Sequence, residues 1–183
     1  MHSLEFLSMA TTSRLVLLGL VANATSYAAE PVRLKSTFSA DEVKWVQVAG
    51  TAAVSGTATL KLKDGTFKNC SGFNVELLPA TQYSSERIIK TYGNNEQGQV
   101  LVEDDPPKFT PDAAGYHQML LKGVCDAKGE FSFSNVPSGD YYVMAFIIWD
   151  IMNEGRGAKA GGAVMHRIHV ENGSKSRVEL GTP

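Results

Sequence analysis

CDAKGEFSFSNVPSGDYYVMAFIIWDI, residues 125–151, is the stretch on which the fold turns. Phe131 and Phe133 alternate with Glu130, Ser132 and Ser134. Successive side chains of a strand point to opposite faces, so this is a strand with one apolar and one wet face. Pro137-Ser138-Gly139-Asp140 predicts a turn. From Tyr141 to Ile151 both alternating faces are apolar: Tyr141, Val143, Ala145, Ile147 and Trp149 on one, Tyr142, Met144, Phe146 and Ile148 on the other. Such a run predicts a central strand covered on both sides. Left bare it would invite aggregation, which a sandwich interior prevents.

Toward the C-terminus, residues 153–163 read as a Gly-rich loop, and 164–170 and 176–180 as two closing strands around Asn172-Gly173. Toward the N-terminus, residues 119–125 read as a strand. Thr110-Pro111-Asp112 is expected to open a helical turn, with Pro at its first position. Residues 94–108 are polar, end in Asp104-Asp105-Pro106-Pro107, and read as a loop. Over 84–92 the period changes: Ile88, Ile89 and Tyr92 share a helical stripe, Ser84 suits the cap and Gly93 the left-handed stop. Phe73, Val75 and Leu77 alternate until Pro79, and Ala58, Leu60 and Leu62 alternate until the Asp64-Gly65 hairpin signal. Residues 50–56 read as a loop or bulge, 43–48 as the first strand and 30–42 as an irregular arm. About seven short strands separated by turn signals predict a mostly β chain, a single β-sandwich with a helix-containing insertion over 80–118.

The first 29 residues carry Arg14, an apolar run over 15–22 and small residues at Ala24, Ser26, Ala28 and Ala29. A charged flank, a short apolar run and a small-residue site predict a signal peptide cleaved near Ala29. The run is too short to span a bilayer. The formal net charge of the chain is -2, and Lys and Arg form no cluster, so nothing in the sequence points to nucleic acid. The two cysteines are Cys70 and Cys125. In an oxidising compartment a lone pair joins, which predicts a Cys70–Cys125 disulfide; two buried free thiols are the alternative.

The run from Cys125 to Phe146 resembles the core of the carboxypeptidase regulatory-like domain family. The matching positions are Asp126 and Gly129 of an Asp-x-x-Gly turn, Phe131 and Phe133 of a Phe-x-Phe strand, Val136, Pro137 and Gly139 of a turn, and Tyr141 of the next strand. Residues 56–65, GTATLKLKDG, look like that family's opening strand. The resemblance implies a prealbumin/Ig-like sandwich over 43–183, in a class of domains that generally support or bind.

His166 and His169 stand three apart in a predicted strand, so they face opposite sides and do not share a metal. Intradiol ring-cleaving dioxygenases, which share the sandwich, hold iron with two His at one-residue separation and two Tyr, so MHRIHV resembles their motif with the wrong spacing. No Gly-x-Ser-x-Gly elbow occurs, and Gly155-Arg156-Gly157 and Gly161-Gly162 lack the Gly-Lys-Ser/Thr ending of a phosphate loop. Asp104, Asp105 and Asp112 show no calcium-loop spacing. Trp45, Tyr83, Tyr92 and Tyr116 are candidate aromatic contacts for sugar or peptide.

The expectation is therefore an exported, non-catalytic binding or accessory protein of the cell envelope, in the periplasm or outside the cell. It has no assigned catalytic, cofactor or metal residue, and its partner is a protein or a glycan. Two alternatives stand beside it: a metal-dependent enzyme using His117, His166, His169 and the tyrosines, and a structural protein that self-assembles through its sheet edges. The 80–118 insertion is the expected contact surface, and its deletion is expected to spare folding.

Overall fold

A run apolar on both faces has to be covered twice, and the structure does so. The computed structural model describes residues 31–113 and 115–181; the export segment expected over 1–29 lies outside them. The run forms β7 (Gly139–Asn153). It lies third in a five-stranded antiparallel sheet, between β8 (Arg156–Val170) and β3 (Asn74–Pro79). The edges are β4 (Gln97–Leu101), beside β8, and β5 (Leu121–Val124), beside β3. A second sheet is built on β1 (Ala52–Lys61), which pairs antiparallel with β6 (Glu130–Val136) and, near its end, with β2 (Phe67–Asn69). On β1 also lies β9 (Lys175–Leu180), in parallel, from Ala53↔Lys175 to Ala58↔Leu180.

The inward face of β7 puts Tyr141, Val143, Ala145 and Ile147 into one core with Val54 and Leu60 of β1 and Phe131 and Phe133 of β6. The outward face puts Tyr142 and Met144 under helix α1 (Gln82–Tyr92), against Tyr83, Ile88 and Tyr116. Both tyrosines are fully buried, and both hydroxyls are satisfied: Tyr141 donates to the Pro137 carbonyl at 3.0 Å, and Tyr142 lies 2.8 Å from Ser85 Oγ on the helix. The helix starts on Thr81, whose Oγ1 accepts from Ser84 N while Ser84 Oγ accepts from Thr81 N. Ser84 is thus the third residue of a capping box and not the cap. Gly93 ends the helix at φ 79°.

Several expectations are corrected. Residues 43–48 do not form a strand: Ala40–Gln47 is a 3₁₀ helix. At three residues per turn Val43 and Val46 stack on one side, and these are its buried residues. The 50–56 segment is mostly strand and not a loop, because Ala52, Val54, Ala58 and Leu60 continue one inward alternation, and its pairing with β6 shifts register between Ala52 and Val54, as a bulge does. Residues 97–101, expected in a loop, are the edge strand β4. Thr110-Pro111-Asp112 opens no helix; a short 3₁₀ turn follows at Tyr116–Gln118. Residues 153–163 are not a loop: β7 and β8 pair from Gly139↔Val170 to Asn153↔Arg156. Their turn is Glu154-Gly155, both at positive φ (49° and 76°), which matches the twist of a two-residue hairpin. With β2 and β4, the described residues hold nine strands where about seven were expected.

The 80–118 segment supplies β4 and the helix that roofs Tyr142 and Met144. Burying each such side chain contributes about 1.5–3 kcal/mol, so deleting the segment would unroof the sheet and not spare folding.

Cys70 and Cys125 are joined, with Cα atoms 5.7 Å apart. The bridge ties the residue after β2 to the residue after β5, beside the Asp126 turn. Gly139 answers a different constraint. A Cβ there would lie 2.4 Å from Cη2 of Trp45, whose ring packs edge-on against Tyr141. Gly139→Ala is expected to destabilise by about 1–3 kcal/mol in urea unfolding, as overpacking does. The paired change Cys70→Ala/Cys125→Ala closes no 55-residue loop and is expected to cost about 4 kcal/mol in the same assay.

Candidate functional site

The hairpin of β7 and β8 overshoots the sandwich. Residues 150–157 are exposed, Met152 at 73%. The overhang forms one wall of an open cleft of about 710 Å³ at the mouth between the sheets. Its apolar floor is Leu62, Trp149 and Ile151, and its rim carries Lys63, Asp64, Glu103, Asn153 and Lys159. Trp149 is the last inward residue of β7 that reaches the core, and it is partly buried there. Gly161 makes its seat: a Cβ at that position would lie 2.5 Å from the indole ring. The Lys68 ammonium sits 4.9 Å from the indole centroid, so the ring already receives a cation. Around it the charges are paired. Lys63 meets Asp104 at 2.8 Å, which raises the amine's pKa and lowers the carboxyl's, and Lys159 meets Asp150 at 2.7 Å. Asp64 accepts from the amide and hydroxyl of Thr66, which holds the rim turn and lowers its own pKa.

A second cluster lies on the outer face of the five-stranded sheet. Arg87 of α1 donates through Nη1 to Asp112 Oδ1 at 2.8 Å and to the Tyr83 hydroxyl at 3.2 Å. Its guanidinium lies 4.4 Å from the Phe109 ring centroid and 4.6 Å from that of Tyr116. His117 Nε2 is 2.7 Å from Asp112 Oδ2. Burial pushes the Asp112 carboxyl up, but the hydrogen bonds to His117 and Arg87 outweigh it and hold the group below the usual carboxylate range. One residue earlier, Glu86 accepts from the amides of Lys35 and Ser36 and from the Ser36 hydroxyl. The Arg87 and Glu86 side chains thus fasten two separate segments to the helix.

The structure scatters most of the residues singled out above. His166 and His169 lie on opposite faces of β8, opposite Val143 and Asp140, and His169 Nδ1 is 3.0 Å from Asp140 Oδ1. His117 belongs to the Arg87 cluster. No group of three or more His, Cys, Asp or Glu able to hold a metal occurs among the described residues. Asp104 and Asp112 serve different ion pairs. Tyr83 and Tyr116 are buried and packed edge to face with ring centroids 5.1 Å apart, so they support the surface from beneath. Trp45 packs on Tyr141. Of the glycines, Gly155 is a turn residue, whereas Gly161 and Gly162 lie in β8, where they admit Trp149 and the Val100 carbonyl. Trp149 and Arg87 were missed as site residues. The Gly161-Gly162 pair was the available signal for Trp149, since a glycine in a strand marks a close approach.

No protein-family model and no curated protein matches the chain. In fold it is similar to the crystal structure of a candidate carbohydrate binding protein from Pseudomonas aeruginosa, with a TM-score of 0.62 at 22% identity, over 79% of this chain and 97% of that one. At that identity the likeness is one of fold. No helix among the described residues is long and apolar enough to cross a membrane.

The Glu86 tether has a defined pH window. The hydrogen bonds from the Ser36 hydroxyl and from the Lys35 and Ser36 amides lower the carboxyl from 4.5 to about 2. A depressed carboxyl contributes stability that is complete above its unfolded value and lost as pH falls through its folded one. Hydrogen exchange at the Lys35 and Ser36 amides is expected to show protection above pH 4.5 that disappears toward pH 2. Glu86→Gln is expected to weaken that protection at neutral pH and flatten its pH dependence.

Proposed function

We propose that this chain is an exported, non-catalytic β-sandwich that binds a glycan across the cleft floored by Trp149. The cleft carries the reading. An indole edge and face at the floor, with an amide, carboxylates and ammonium groups on the rim, match a ligand whose rings present C–H faces and whose edges present hydroxyls. The Lys68 ammonium over the indole shows that this ring attracts positive charge, as it would the electropositive C–H face of a pyranose. The carbohydrate binding named for the fold neighbour agrees with this reading. A disulfide agrees with an oxidising compartment, periplasmic or extracellular. On this reading the chain is a divergent relative of the carboxypeptidase regulatory-like domains. His166 and His169 face apart on β8, which argues against a metal shared between them.

The test uses the intrinsic fluorescence of Trp149 in a Trp45→Phe background, titrated with soluble oligosaccharides of α-glucan, β-glucan, chitin and peptidoglycan type. One class is expected to quench the emission saturably. Trp149→Ala is expected to weaken calorimetric binding of that class at least about tenfold. Lys159→Ala is expected to weaken it a few-fold without a change in melting temperature. No saturable binding of any class at millimolar concentration would overturn the proposal.

A further inference from the structure

Beneath α1, on the outer face of the five-stranded sheet, lies a half-open cavity of about 190 Å³ that shares no lining residue with the Trp149 cleft. A dry cavity of about 150 Å³ accommodates benzene. This one has room for a single six-membered ring with a small substituent. Its walls are apolar: Ile88 and Tyr92 come from the helix, Met144 and Phe146 from β7, and Phe109 and Leu120 from the segment that follows β4. A ligand that fills it must be mostly apolar, since burying a polar ring against such walls without partners is costly.

Besides the tyrosines Tyr92 and Tyr116, three charged or titratable side chains reach the cavity: Glu76, Arg87 and His117. They differ in whether they have partners. Arg87 is bonded to Asp112 and Tyr83 and lies against two aromatic faces. His117 is bonded to Asp112. Glu76 lies on β3 between Met144 and Lys122 in the sheet register. It makes no hydrogen bond or ion pair to any described residue within the usual distances, Lys122 included. It is half-buried all the same. Burial pushes its carboxyl up from the ordinary range, against the opposing pull of Lys122 and His117. A half-buried carboxylate facing an apolar chamber is an acceptor without a donor.

We propose that this cavity is a binding site for a small neutral aromatic alcohol, whose ring fills the apolar chamber and whose hydroxyl donates to Glu76. The charges set the choice of head group. A carboxylate on the ligand would meet Glu76 head-on. An ammonium would be drawn to Glu76 but would share the space with the Arg87 guanidinium and lie close to Lys122. A hydroxyl brings no charge and forms the strong, charge-assisted kind of hydrogen bond to a carboxylate.

The experiment titrates the intact protein with p-cresol, toluene, benzylamine and benzoate, read by calorimetry and by amide shifts of β3 and α1. p-Cresol is expected to bind saturably at one site, toluene more weakly and benzoate not at all. Glu76→Gln keeps the size of the side chain and removes a costly half-buried charge, so it is expected to fold, as a thermal melt would check. It is expected to weaken p-cresol about tenfold and leave toluene unchanged. A purely structural role for Glu76 would move both ligands together. Equal binding of p-cresol and toluene, indifference of p-cresol to Glu76→Gln, tighter binding of benzylamine than of p-cresol, or no binding at millimolar concentration would each overturn the proposal.

Discussion

Tyr141 and Tyr142 are neighbours on one strand, both fully buried and on opposite faces. That pair states the constraint under which the rest of the molecule is arranged. β7 cannot stand at a sheet surface open to water, so it needs a sheet beneath it and a roof above it. The sheet built on β1 supplies the first cover, with Leu60, Phe131 and Phe133. Helix α1 supplies the second, because its buried Tyr83 and Ile88 pack with Tyr142 and Met144 where these emerge from β7. Each tyrosine then needs one polar partner, and each finds it in its own cover or turn: Ser85 on the helix and the Pro137 carbonyl at the turn.

The roof is not held by apolar contact alone. α1 carries Glu86 and Arg87 side by side, and each captures a segment distant in sequence: residues 35–36 for the first, residues 109–116 for the second. Neighbouring residues of a helix point about 100° apart, so adjacent opposite charges can hold two different straps without neutralising one another. The result is a layer whose ligand-sized spaces lie between helix, strap and sheet, where side chains from three elements converge.

The fold was legible wherever one residue type repeated with an unbroken period. β7, β6 and the Gly93 stop were of this kind. It was illegible where small residues broke the pattern. In β1 the alternation is read only from Ala58 onward, because Ala52 and Gly56 hide its first half, which the burial of Val54 makes plain; Gly56 is small because the Val178 carbonyl and the Phe131 ring fill the space its Cβ would need. In β8, Gly161 and Gly162 read as loop for the same reason. β4 reads as loop because an edge strand wets most of its side chains. Residues 43–48 fit a period of two as well as a period of three, and only their burial decides. The candidate sites were less legible still. Arg87, Asp112 and Glu76 are ordinary surface types in sequence, and their roles depend on partners that the chain brings together over tens of residues.

The parallel pairing of β1 with β9 also has a kinetic side. The central strand of its sheet takes a neighbour from residues 175–180, 122 residues beyond its partner at Ala53↔Lys175. Until that stretch is available, β1 shows a bare edge of unpaired amides and carbonyls to the surroundings. Contacts of such long sequence separation form late and slowly, because the loop between them must close first. A chain of this topology spends its early life as a partly built sandwich with one sticky seam. That seam stays open to unwanted pairing until β9 arrives.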